Sequence, residues 1–195
     1  MRMVLGLGNP GEQYARTRHN VAWWVLDQLA ARHGATIGER DSRYETRRVR
    51  IGEHDVVLMK PLTFMNLSGD AWMQWRERHE LDAEGLLVVS DDVYLPLGAL
   101  RLRANGSSGG HRGLESIERA LGHRDYARLR FGVGAAESSA ELREHVLEEF
   151  APEEAPALEE AVRHAADAVE CWVSQGTLAA MNQFNRKVRK EVSES

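Results

Sequence analysis

The chain has 195 residues, 43% of them hydrophobic, and a formal net charge of −5. That is enough apolar material for one substantial core, and a single domain over residues 1–195 is expected. The longest apolar runs, 21–26 and 86–89, fall far short of the ~18 residues a membrane helix requires, and the glycine-broken N-terminal run is too short for a secretory leader. A cytoplasmic location is therefore expected, and the lone Cys171 reads as a buried structural thiol.

In chain order, residues 3–7 read as a short buried strand, followed by a Gly/Pro-rich loop to His19. A helix over 20–33 comes next, with Asn20 as N-cap, Val21, Trp24, Val25 and Leu29 on one face, and Gly34 as a stop. Residues 44–51 and 55–59 read as paired strands around a turn at 52–54, with a loop over 60–67 after them. Ser68 is placed to cap a helix to about 80, and 86–89 is a continuous apolar strand whose end delivers Ser90, Asp91 and Asp92. A strand at 99–103, a Gly/Ser run at 105–110, a helix at 114–121 and a strand at 128–133 follow. The remainder is helical, with Pro152 in a first turn, Gly176 between two helices and a charged tail from about 186. Interleaved strands and helices predict a three-layer α/β/α fold with a mixed, mostly parallel central sheet, the hairpin supplying an antiparallel part. Ligands of such sheets gather where strands end, so the loops after residues 7, 59, 90 and 103 are expected to converge on one cleft.

Net acidity argues against a nucleic-acid partner, but the charge is segregated. Between Gly98 and Gly134 seven arginines (101, 103, 112, 119, 124, 128 and 130) face only Glu115, Glu118 and Asp125, whereas 137–160 is strongly acidic. A local basic face is possible on this pattern.

Two glycine motifs invite other readings. Residues 6–11 satisfy G-x-G-x-x-G after a strand, but Pro10 and the aperiodic run to Arg18 delay the helix that must face a pyrophosphate. Residues 106–110 satisfy G-x-S-x-G, which would make Ser108 a serine-esterase nucleophile, although His111 is too near in sequence to be its usual partner. The eight histidines show no metal-ligand spacing, and no metal or other cofactor is expected. The remaining constellation activates water. His19 is the candidate general base, Asp91 would hold its tautomer, and the amides of Asn9 and Asn66 would place water and stabilise a developing oxyanion.

Gly6–Gly11 with Tyr14 and Thr17-Arg18-His19-Asn20 closely resembles the opening of bacterial-type peptidyl-tRNA hydrolases. Residues 60–69, Asp91-Asp92 with 95–98, Gly109-Gly110-His111, and 129–134 resemble further signatures of that family, in order, across residues 4–185. The resemblance implies a monomeric, cofactor-free hydrolase that cleaves the ester between peptide and tRNA. It implies His19 as base, Asp91 as its orienter, Asn9 and Asn66 as positioners, and Tyr14, Phe64 and Met65 as cleft walls. Arg103 and Arg130 match positions used for tRNA phosphates, and His111 would sit in a mobile gate. The family commonly has Asn where this chain has Arg112 and Asp where it has Tyr94. Because the family also includes RNA-binding splicing factors, a non-catalytic RNA-binding relative is the alternative.

Overall fold

The computed structural model describes residues 1–134, 138 and 141–185, so the charged tail from 186 lies outside the described residues. Its centre is a seven-stranded sheet of order β2-β3-β4-β1-β5-β7-β6. The strands are β1 (Arg2–Gly6), β2 (Thr36–Arg40), β3 (Tyr44–Ile51), β4 (His54–Pro61), β5 (Leu86–Asp92), β6 (Leu100–Arg103) and β7 (Ala127–Gly132). The helices are α1 (Val21–Arg32), α2 (Ser68–Arg76), α3 (Arg112–Leu121), α4 (Leu142–Val146), α5 (Ala155–Gln175) and α6 (Thr177–Phe184). The expected mixed, mostly parallel α/β/α architecture is present: the four contiguous strands β4, β1, β5 and β7 are parallel, and β2, β3 and β6 add antiparallel pairings at the two sides.

The unbroken apolar runs of β1 and β5 follow from helices covering both faces of the sheet. Alternate side chains go to opposite cores. Val4, Leu87 and Val89 join the cluster built by α1 and α5, while Met3, Leu5, Leu86 and Val88 join Trp72, Trp75, Leu114 and Ile117 from α2 and α3. Strand β2 escapes sequence reading because it carries no apolar alternation; its Ile37 is 94% exposed. It exists because β3 offers a free edge, and Glu39 N–H donates to Thr46 Oγ1 across the pair at 2.7 Å.

Parallel order places the ends of β1, β4, β5 and β7 on one side. The chain leaving β5 turns back there, with Gly98 N–H donating to Gly132 O at 2.9 Å, Gly132 N–H to Ala99 O at 2.8 Å and Val133 N–H to Asp92 O at 3.1 Å. Gly132 permits this close approach: a Cβ on it would run into Pro96 O and Leu95. Gly132→Ala is expected to lower stability by about 1–3 kcal/mol, the usual cost of overpacking, and to disturb the 93–99 turn. Chemical denaturation measures this.

Candidate active site

His19 sits in a 3-10 turn, Arg18–Asn20, at the end of the loop from β1. Asn20 does not cap α1 with its side chain as the sequence suggested. Its Oδ1 accepts from Asn9 N–H at 2.9 Å and its Nδ2 donates to Asn9 O at 2.9 Å, folding the loop back on itself. That closure presents Nδ1 of His19 to both oxygens of Asp91, at 2.8 Å each.

Asp91 is 1% exposed at the end of the wholly buried β5. A second imidazole reaches it: His111 Nε2 lies 2.7 Å from Asp91 Oδ1. The other nitrogen of His111 caps α3, Nδ1 accepting from Gly113 N–H at 3.1 Å and Leu114 N–H at 3.3 Å. A nitrogen that accepts twice carries no proton, so the proton of His111 is on Nε2 and is donated to Asp91. A charged ring there would also oppose the positive end of the helix dipole. His111 is therefore held at both nitrogens, donating to Asp91 through Nε2 and capping α3 through Nδ1.

With His19 Nδ1–H donating to Asp91, His19 Nε2 is left as a lone-pair acceptor. Burial pushes the His19 pKa down, but the charge of Asp91 and its hydrogen bond outweigh this and hold it above its ordinary 6.5. Burial would raise Asp91, yet His19 and His111 together hold its carboxyl well below the usual range. Asp91 is thus ionised wherever His19 titrates.

His19, Asp91 and His111 line a cavity of about 300 Å³, with Asp92, Tyr94, Arg112 and Arg130 around it. Leu142, Arg143 and Val146 of α4 also line it, a contribution that the sequence did not signal. Tyr94 and Arg112, where the chain departs from the resembled pattern, both face this space. Arg130 donates to Ser107 O at 2.7 Å and lies 3.7 Å from Asp92, which also accepts from Tyr94 N–H at 2.8 Å.

Asn9 is buried beside the site, and its Oδ1 accepts from Met65 N–H at 2.8 Å. The amide is thereby oriented, leaving Nδ2 as its unused donor among the described residues. Met65, expected as a cleft wall, is 5% exposed and packs in the core with Leu7, and its backbone N–H makes the contact to Asn9. Phe64 and Asn66 are exposed in the same turn and Tyr14 is half-buried, none of them lining the 300 Å³ cavity. Arg103 is exposed on β6 and pairs with Arg128 of β7, while Arg101 is the residue opposite Arg130.

With this geometry in place, the chain was compared with known proteins. The family model described as peptidyl-tRNA hydrolase matches residues 3–192. The chain belongs to the peptidyl-tRNA hydrolase family. A relative named peptidyl-tRNA hydrolase from Syntrophomonas wolfei is 46% identical over 187 residues, covering 95% of this chain and all of that protein. One from Chloroflexus aggregans is 45% identical, covering 95% of this chain and 99% of its own length. The crystal structure of peptidyl-tRNA hydrolase from Acinetobacter baumannii superposes with a TM-score of 0.88 at 34% identity, over 95% of this chain and 94% of the other.

In this member of the family Ser108 makes no side-chain hydrogen bond to a histidine among the described residues, although its carbonyl accepts from His111 N–H at 3.2 Å and His123 lines the same cavity. The Ser108 hydroxyl lies 3.5 Å from Glu115 and accepts from Gly110 N–H at 3.3 Å, and that cavity, shared with Glu118 and Arg124, is separate from the one at His19. The ligand atoms of His19, Asp91 and His111 all lie within 4.8 Å of one another, so among the described residues these three are the side chains that could hold a metal ion. To do so the two imidazole nitrogens facing Asp91 would have to give up the protons they donate. Cys171 is buried with its pKa raised by burial, as a structural thiol should be.

The His19–Asp91 pair makes stability depend on pH in a defined window. The His19 contribution is fully present below its unfolded value of 6.5 and is lost as pH rises through the raised folded value. The Asp91 contribution is present above 3.8 and is lost only as pH falls through the depressed value. The Tm advantage of the wild type over Asp91→Asn is therefore expected to be greatest between pH 3.8 and 6.5. Imidazole NMR of the same variant should show His19 titrating below 6.5, since burial then acts without its partner.

Proposed function

We propose that this chain hydrolyses the ester joining a peptide to tRNA, as a monomer working in the cytoplasm without a metal. The carrying observation is the His19–Asp91 pair, which engages His19 Nδ1 and, in the neutral ring, leaves the Nε2 lone pair to take a proton beside a cavity, in a chain of this family. No helix among the described residues is long and apolar enough to cross a membrane.

His19 Nε2 takes a proton from water as the water oxygen attacks the ester carbonyl carbon. Asp91 stays ionised and stabilises the imidazolium that forms. The Asn9 Nδ2 donor, fixed by Met65 N–H, serves the developing oxyanion, with exposed Asn66 beside the same turn. Collapse breaks the bond from carbonyl carbon to ribose oxygen, and the imidazolium returns its proton to that oxygen. Amides that read a peptide backbone favour an acylated amine over a free charged one, which fits a preference for N-blocked substrates.

The basic side of the site supplies the phosphate contacts. Arg112 is exposed at the cavity, Arg130 lines it, and Arg101 and Arg103 are exposed on β6. Phe64 and Tyr14 remain the apolar surfaces for the peptide.

Release of tRNA from an N-blocked aminoacyl-tRNA tests the reaction. His19→Ala should lose about 10²–10⁴-fold, the usual worth of a positioned general base, while Ser108→Ala keeps most activity. Tight tRNA binding with no turnover by the wild type would favour a non-catalytic RNA-binding protein instead. Arg103→Ala and Arg130→Ala are expected to raise KM for tRNA esters and to spare a minimal ester lacking the tRNA body; equal losses on both would reject phosphate anchoring.

A further inference from the structure

Arg18 is 9% exposed at its side chain and sits immediately before His19, yet general-base chemistry gives it no role. Its guanidinium gathers several distant segments. Nη1 donates to Val133 O at the end of β7 at 2.9 Å, and Nη1 and Nη2 donate to the two oxygens of Glu154 at 3.1 and 2.9 Å. Its carbon lies 4.6 Å over the Phe150 ring, which in turn packs 5.6 Å from Trp24 of α1. The backbone joins in: Arg18 N–H donates to Glu148 O at 2.9 Å, and Thr17 bridges to Glu149. Glu154 is held from the other side by Ala151 N–H at 2.7 Å.

These contacts bracket α4 from both ends, Val133 on one side and Glu148 to Glu154 on the other. Leu142 and Val146 of α4 line the same cavity as His19. The catalytic turn is thus pinned twice, by Asn20 to Asn9 and by Arg18 to the segments flanking α4. We propose that Arg18 is a positioning residue that sets the α4 wall against His19, so that wall and base move as one unit. A lysine cannot substitute. One ammonium lacks the planar fork needed to meet Val133 O and both Glu154 oxygens while lying flat on Phe150. The same geometry explains why the guanidinium is tolerated although its Nε is buried without a partner. The proposal builds on the hydrolase reading for its kinetic consequence, but its structural half stands alone.

The test uses full-length Arg18→Lys, with Glu154→Gln as a second variant that removes the charge while keeping similar shape. Methyl NMR should show the Leu142 and Val146 resonances shifting together with the His19 ring, in protein that still unfolds cooperatively. kcat on an N-blocked aminoacyl-tRNA should fall about tenfold to a hundredfold, the scale of a misplaced reacting group, with KM less affected. Val146→Ala should cost activity in the wild type and little more in the Arg18→Lys background, because the wall is already displaced. Unmoved α4 methyls, or losses from the two substitutions that simply multiply, would overturn the proposal. If the wild type itself turned nothing over, the hydrolase reading would fail, while the methyl shifts would still decide whether Arg18 holds the wall.

Discussion

One carboxylate, 1% exposed and ionised, constrains everything around it. Burying such a charge costs several kcal/mol unless hydrogen bonds replace the lost water. Asp91 obtains them from two imidazoles, at 2.8 Å from His19 and 2.7 Å from His111. Each imidazole must arrive with its proton on the correct nitrogen. The β1 loop satisfies this by closing Asn20 onto Asn9, and the chain before α3 by turning His111 into its N-cap. A strand end, a loop and a helix terminus are thereby locked together by two carboxylate oxygens.

The two histidines share a partner but not a role. His111 spends its second nitrogen at the start of α3, where it accepts from Gly113 N–H and Leu114 N–H. His19 turns its second nitrogen to the cavity, where a proton is welcome because Asp91 holds the ring's pKa above 6.5. Environment, not residue type, makes one ring a fixed donor and the other a proton acceptor.

The parts legible in the sequence were those in which one segment carries its own signal. The apolar runs of β1 and β5 declare buried strands, and their ends declare where His19 and Asp91 go. Strand β2 was not legible because Thr36–Arg40 has no pattern of its own and is a strand only by virtue of β3. Asn20 looked like a helix cap because capping needs only an amide at the right place; its actual partner, the Asn9 backbone, is set by loop closure. The same holds for His111, whose two partners come from β5 and α3, and for Arg18, whose contacts lie 115 and 136 residues away. Pairings of that kind have no periodicity to read. The family signatures around His19 and His111 marked these positions as significant without revealing what each one touches.

Arginine count in the sequence also overstated the basic face, and sheet register shows why. Arg101 pairs with Arg130 and Arg103 with Arg128, so all four side chains share one side of the sheet. The inner pair is consumed by the fold. Arg128, 1% exposed, bonds Glu118 at 3.2 Å and Arg124 O at 2.9 Å and stacks 4.0 Å over Tyr126, and Arg130 is partly taken by Ser107 O. The outer pair on β6 stays exposed. That strand is an edge, and an edge must be kept from pairing with another chain. Asn185 does part of this by taking both Leu102 N–H at 2.6 Å and Leu102 O at 2.8 Å. The exposed arginines do the rest by charge. On the proposed function the same side chains serve a second end: Arg101 and Arg103, without an acidic partner among the described residues, are the cations offered to phosphate, which is how an acidic protein could keep a basic approach to its site.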